Sequence, residues 1–219
     1  FDIITLFPEF FDFYFKQSIL ARSQKEKKLK INVHQLRDFA LDKHKTVDDR
    51  PFGGGRGMVL KIEVLERALN KIKNKKLDSK VVLFTPRGKI FNQKMATDWS
   101  KLDQLTLICG RYEGVDERIN KLIDEKVSIG NFVMMGGDLA GLIVVESTAR
   151  LISGVVGNSE ALIGERITAE KGFVEYPQYT RPEVFETKNK QKLKTPKVLL
   201  SGNHKKIDEW RKKHSKVIE

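Results

Sequence analysis

Chemistry-bearing residues gather in three stretches. In CGRYEGVDER, residues 109–118, Arg111, Tyr112, Glu113, Asp116 and Glu117 offer charge around Gly110 and Gly114, directly after the apolar run LTLI. Ligands of open α/β sheets bind at the carboxyl ends of strands. The turn is therefore either part of a ligand cleft or a surface turn whose ion pairs contribute little. In VSIGNFVMMGGDLAGLIVVESTAR, residues 127–150, an apolar run broken by Gly130 reaches Gly136-Gly137 and passes into a long apolar segment bearing Asp138 and Glu146. Glycines where a strand hands over to a helix let the backbone approach a ligand, or only let two elements pack; both readings stay open. The third stretch, GGGRG at 53–57, has the composition of a backbone nest for phosphate. No GK[ST] follows it and no suitable strand precedes it, which excludes a P-loop and a dinucleotide fingerprint. Cys109 has no base in sight and reads as a buried strand residue rather than a nucleophile. His34, His44, His204, His214 and Cys109 lack ligand spacing, so no metal site is expected.

These stretches need a frame. Apolar runs predict strands over 1–7, 81–86, 105–110 and from 127, and alternation predicts another over 30–36. Helical periodicity predicts helices over 9–24, 62–76, 92–102, 116–123 and 139–151. Strands alternating with helices imply an α/β fold with a mostly parallel sheet and helices on both faces. Thr85-Pro86, Cys109-Gly110 and Ile129-Gly130 then end neighbouring strands and share a cleft. The aromatic helix with Phe10, Phe11, Phe13, Tyr14 and Phe15 reads as core or subunit contact. Residues 37–60 form a long loop of the kind that carries function. After Ser153 the pattern changes: 154–172 reads as a linker or active-site loop, 175–185 as extended, 187–197 as a basic tongue, and 198–214 as a short strand and turn leading into a basic helix.

Among 219 residues, 41 Lys and Arg stand against 29 Asp and Glu, a net charge of +12. That excess marks either solvated faces or a polyanionic partner, most simply nucleic acid. The length suits one large domain with at most a small extension. A single cysteine excludes a disulfide framework. No apolar run approaches the ~20 residues of a membrane span. FDIITLFPEF lacks a basic n-region and a cleavage site, so no signal peptide is expected. The first residue is Phe1 rather than Met, so the start is expected further upstream.

DKHKTVDDRPFGGGRGMV (42–59), LICGRYEGVDER (107–118), SIGNFVMMGGDLA (128–140), EYPQYTRPEVF (175–185) and VLLSGNHKKIDEW (198–210) together resemble the bacterial tRNA (guanine-N1)-methyltransferases, the TrmD family of SPOUT methyltransferases. The resemblance implies a SPOUT-type α/β domain with a deep trefoil knot over 1–156. It implies an interdomain active-site loop at 157–173 and a small, mostly helical tRNA-binding domain at 174–219. It implies a cytoplasmic homodimer with its active site between subunits, and no membrane contact. The reaction implied is methyl transfer from S-adenosylmethionine to N1 of the guanosine immediately 3′ of the anticodon. Mg2+ is compatible with the family, although no metal cage is visible.

Carried onto this sequence, the donor site comprises Leu83, Phe84, Thr85, Pro86, Gly110, Glu113, Ser128, Ile129, Gly130, Asn131, Phe132, Val133, Met134, Gly136 and Gly137. Asp48, Arg50, Ser201, Asn203 and His204 are implied tRNA contacts, and basic residues of 37–60 and 187–214 would hold phosphates. Guanine N1 carries a proton, so transfer needs a base, and charge grows on O6. Arg150 matches the family's catalytic arginine. Where the family has an Asp as base, the loop here reads GNSEALIGERITAEKGF (157–173), with Glu165 nearest and Glu160 and Glu170 as alternatives. Asp138 replaces the family's usual Glu. Two other readings are a sister SPOUT RNA methyltransferase and a non-catalytic RNA-binding homologue that has lost its base.

Overall fold

A computed structural model describes residues 1–74, 76–157, 172–174 and 176–218. Two compact units divide the chain, Phe1–Ser159 and Glu160–Glu219. The first is a mixed α/β unit around one parallel sheet. Its strands are β1 (Asp2–Thr5), β2 (Asn32–Gln35), β5 (Ser79–Ile90), β6 (Gln104–Ile108) and β7 (Glu125–Ser128), in the order β2-β1-β6-β5-β7. Its helices are α1 (Glu9–Phe15), α2 (Ser18–Lys25), α3 (Ile62–Ile72), α4 (Gln93–Trp99) and α5 (Asp138–Ala149). A two-residue pair, β3 (Asp48–Asp49) with β4 (Val59–Leu60), closes the long loop after β2.

Period-two alternation along the strands supplies two cores, one per face. Ile3, Val82, Leu107 and Val127 point to one side, where Phe11, Phe15, Leu20, Trp99, Val144, Val145 and Ala149 cover them. Ile4, Val81, Leu83 and Ile108 point to the other, against Leu65, Ala68 and Leu69 of α3 and the 3-10 turns at Leu36–Phe39 and Glu117–Lys121. At the lower edge of the sheet the Asp2 carboxylate, 8% exposed, takes hydrogen bonds from Asn32 Nδ2, Gln104 Nε2 and His34 Nε2 at 2.9, 2.8 and 2.8 Å. Burial opposes its charge, but the hydrogen bonds from His34, Gln104 and Asn32 outweigh burial and hold its pKa at about 2.

Several elements differ from the sequence expectation. The helix expected over 9–24 is two: Gln17 is extended, Ser18 sits at φ +50°, and the Gln24 amide donates to the Phe15 carbonyl at 2.9 Å, occupying a carbonyl that α1 leaves open. Pro86 does not end β5. Pairing with β7 shifts register between Phe84 and Lys89, and Pro86 falls inside that irregularity, where no ladder N–H is needed. Gly88 there lies against the Val127 backbone with no space for a Cβ. The apolar run from 127 leaves the sheet at Ser128, because the following residues line a cavity instead. Residues 116–123 contain a 3-10 turn at Glu117–Lys121, not an α-helix.

In the second unit, β9 (Val184–Glu186) and β10 (Lys192–Lys194) form an antiparallel hairpin from the expected basic tongue. β8 (Gly172–Val174) pairs with β11 (Lys216–Ile218). The strand expected at the start of 198–214 is a 3-10 turn, Lys197–Leu200, followed by α6 (His204–His214). Tyr176, Tyr179 and His214 pack their rings around Trp210, with the His214 ring centre 4.1 Å from it, and the Arg211 guanidinium lies 5.0 Å above the Tyr176 ring.

Candidate functional site

The register irregularity in the middle of β5 and the carboxyl ends of β6 and β7 border a cavity of about 410 Å³. Three segments wall it: 83–87 from β5, 110–115 after β6, and 126–137 running from β7 into α5. Every expected donor-site residue lines it except Asn131. Phe132 is 58% exposed and Val133 91% exposed, so the far wall is open to solvent. Leu83 and Phe84 provide buried apolar floor, with Ile129 and Met134 partly buried beside them. Volumes of 300–1,000 Å³ with an apolar lining and few polar groups suit a nucleoside-sized ligand. Arg87, Arg111, Tyr112, Glu117 and Lys126 also line the cavity. The expected list omitted them, although the sequence marked Arg111, Tyr112 and Glu117 as charge or hydrogen-bond carriers at a strand end.

The turn after β6 is tightly wound. Tyr112 adopts φ +58° and Gly114 φ +116°, backbone regions that non-glycine residues enter at a cost of about 1–2 kcal/mol. The long loop braces it: Glu113 N–H donates to Met58 O at 3.0 Å, Leu60 N–H to Gly114 O at 3.0 Å and Asp116 N–H to Leu60 O at 3.0 Å. GGGRG thus borders the cavity turn, with Gly57 at φ +82° facing the Glu113 side chain. Gly53 and Gly54, also at positive φ, have no atom within 4 Å of an added Cβ.

Arg111 is the most constrained cation of the site. Its Nε and Nη2 both donate to Asp138 Oδ2 at 2.6 Å. Its guanidinium carbon stands 4.7 Å from the centre of the Phe7 ring. Asp138 is 2% exposed and also accepts from the Thr5 hydroxyl at 2.5 Å. Gly136 and Gly137 line the cavity and are also tightly packed: a Cβ on Gly136 would strike the Arg111 side chain, and one on Gly137 would lie 3.0 Å from Cys109 Cα and from Gly110 N. Both glycines serve protein packing at the cavity wall. Cys109 is buried beneath, and burial, reinforced by the Asp138 charge, pushes its thiol well above the ordinary value. It stays protonated and is no nucleophile.

Arg150 caps the carboxyl end of α5 and is exposed. At 1.5 Å per residue, α5 carries it about 20 Å from Gly137 at the cavity. Glu160, Glu165 and Glu170 lie outside the described residues. Asp48 pairs across β3–β4 and Arg50 is exposed just beyond. In the second unit Asn203 caps α6 by accepting from Lys206 N–H at 3.1 Å, Ser201 Oγ accepts from Asn203 N–H at 3.2 Å, and His204 is exposed at the helix start. Among the described residues no group of three or more His, Cys, Asp or Glu is arranged to hold a metal ion, and no helix is long and apolar enough to cross a membrane.

Comparison with known proteins adds a second line. The family model described as tRNA (Guanine-1)-methyltransferase TrmD matches residues 1–218. A protein of Dictyoglomus turgidum named tRNA (guanine-N(1)-)-methyltransferase is 47% identical over 214 residues, 98% of this chain and 84% of its own. One of the same name from Caldanaerobacter subterraneus subsp. tengcongensis is 45% identical over 218 residues, covering 100% and 87%. Another from Geobacter sp. is 44% identical over 214 residues, covering 97% and 83%.

Proposed function

The chain belongs to the TrmD family of tRNA (guanine-N1)-methyltransferases, and from that premise we propose how its residues divide the work. The protein is a methyltransferase that acts on N1 of guanine in tRNA. The observation that carries the finer reading is the convergence of residues 83–87, 110–115 and 126–137 on one cavity. The methyl donor, S-adenosylmethionine, supplies an electrophilic methyl group on a positive sulfur when bound. Leu83, Phe84, Ile129 and Met134 present apolar surface to it, and the backbone of 83–86, 110–114 and 128–137 presents hydrogen-bonding groups. A nucleoside-sized, half-apolar cleft fits such a ligand.

The acceptor is the guanosine immediately 3′ of the anticodon. A carboxylate takes the N1 proton as the methyl arrives, and Arg150 stabilises the negative charge that grows on O6. Glu165 is the base, with Glu160 and Glu170 as its alternatives. Asp48, Arg50, Ser201, Asn203 and His204, with the basic residues of 187–214, hold the tRNA. Ser201 and Asn203 already have local structural work as caps, so their contact with RNA goes through the groups that this leaves over. Mg2+, if required, binds through water and substrate rather than a protein cage.

The active protein is a cytoplasmic homodimer. Two features support the dimer: α5 sets Arg150 about 20 Å from the cavity of its own chain, and an apolar face is left open. Phe10 (43% exposed), Phe13 (77%) and Ile19 (42%) of α1 and α2, and Leu139 (52%) and Ile143 (44%) of α5, are its exposed apolar side chains. The knot of the SPOUT fold belongs to the same reading. Domains at 1–156 and 174–219 joined by 157–173 complete this reading.

The test is single-turnover transfer of labelled methyl to a tRNA transcript with G next to the anticodon, beside the same transcript with A there. Transfer to the first alone is expected; incorporation into both or neither overturns the reading. Glu165→Gln, Glu160→Gln and Glu170→Gln are then compared. Only Glu165→Gln should lose about 100-fold or more, and full activity in it reassigns the base.

A further inference from the structure

Four residues from three chain segments close a circuit at the cavity edge. Phe7 N–H donates to the Thr5 hydroxyl at 3.0 Å, and that hydroxyl donates to Asp138 Oδ1 at 2.5 Å. Asp138 Oδ2 accepts both Nε and Nη2 of Arg111, and the Arg111 guanidinium returns to the face of Phe7. Arg111 lines the cavity, whereas Asp138, 2% exposed, does not. Whatever Asp138 does for the cavity, it does through Arg111.

We propose that Asp138 is a positioning residue for Arg111: it fixes the guanidinium at the cavity edge and cancels its charge there, so that the arginine does not repel a cationic methyl donor relative to its neutral product. The proposal rests on the reading of the cavity as the donor site. Two charge-assisted hydrogen bonds to one carboxylate oxygen remove both rotamer freedom and net charge from an arginine. The cation–π contact with Phe7 and the loss of space at Gly136 fix the stem of the side chain as well. The donor carries a positive sulfur; after transfer the same sulfur is a neutral thioether. An arginine stripped of its partner repels the first and is indifferent to the second. A buried aspartate stripped of its arginine attracts the first and is equally indifferent to the second.

Calorimetric titration with S-adenosylmethionine and with S-adenosylhomocysteine tests this, because it reads binding without turnover. In Asp138→Asn the ratio of donor to product affinity should fall about tenfold. In Arg111→Gln it should move the other way, and in the double variant it should return close to the wild-type ratio. Loss of packing alone would lower both affinities together and leave the ratio fixed. If Asp138→Asn does not fold, the opposite-signed change in Arg111→Gln still decides the matter. Unchanged ratios in folded single variants, or a double variant no nearer to wild type than Asp138→Asn, overturn the proposal while leaving the donor cavity in place. A wild-type protein that binds neither compound overturns the cavity reading, and the proposal with it.

Discussion

Gly88→Ala should damage this fold more than any other single methyl addition at the sheet. The added Cβ would lie 2.5 Å from both C and Cα of Val127, roughly 0.9 Å inside the 3.4 Å at which ordinary contact begins. The obstacle is backbone, so no side chain can swing aside. Relief requires parting β5 from β7 where Lys89 and Ile90 face Val127 and Ser128, and where Phe91 N–H donates to Ser128 O at 2.7 Å. Two weakened ladder hydrogen bonds account for about 1–3 kcal/mol, and the overpacking for about 1–3 kcal/mol more. A unit of this size shifts its Tm by about 2–4 °C per kcal/mol, so a fall of about 5–20 °C is expected. Gly137→Ala is the graded comparison: its Cβ meets Cys109 Cα and Gly110 N at 3.0 Å and Phe84 Cβ at 3.2 Å, so neighbours must give by only a few tenths of an ångström. About 1–2 kcal/mol follows. Gly54→Ala, with open space and φ +78°, should lose only the left-handed strain of about 1 kcal/mol. Urea unfolding with calorimetry reads all three. A Gly88→Ala protein within about 1 kcal/mol of wild type, or the reverse ranking, refutes the close-crossing argument.

Three further outcomes follow from single sites. Asp2 is held at about 2 against an ordinary 3.8, so its contribution is present above pH 4 and is lost as pH falls toward 2; about 2 kcal/mol is at stake, and Asp2→Asn should flatten the acid limb of urea midpoints measured between pH 4 and 2.5. Cys109, buried and pushed up, should react with a thiol reagent about 100-fold more slowly in the native protein than in guanidinium, and equal rates would mean the β6 end is open. Phe13→Asp places a charge in the apolar face of α1 and should convert a dimer to monomers in sedimentation, with the fold of each chain kept because Phe13 is 77% exposed within it.

The sheet and the cavity were legible because they depend on local signals. Apolar runs placed four of the strands, alternation placed β2, and glycine with charge after LTLICG marked the strand end where the cavity opens. Breaks that leave the apolar pattern unmarked were not legible. Nothing in the pattern of residues 9–24 announces that Gln24 will bond Phe15 O, nine residues back, and split the helix. Pro86 reads as a terminator until β7 is seen to shift register around it. The same holds for Arg111. Its charge was visible, but its partner Asp138 is 27 residues away and Thr5 is 133 residues from Asp138, separations at which sequence spacing carries no geometry. Gly136 and Gly137 were read as either ligand space or packing; both line the cavity, and the neighbours of their absent Cβ atoms show that packing alone already requires glycine there.

With the proposed donor cavity and the proposed role of Arg150, α5 makes one last demand. The helix begins at the cavity and delivers Arg150 at its other end, about 20 Å away, too far for an arginine side chain to reach back to a methyl group at Met134 or Phe132. A composite site, with the cavity of one protomer facing Arg150 of its partner, removes that distance. Co-expression of Met134→Arg, which fills the cavity, with Arg150→Ala tests it. In random assortment half of the dimers are mixed, and each mixed dimer retains one intact site of two, so about a quarter of wild-type activity should return. Sites built within single chains would leave every cavity paired with a defect, and the mixture would be as inactive as either parent. Phe13→Asp carried on both chains should abolish the recovered activity along with the dimer.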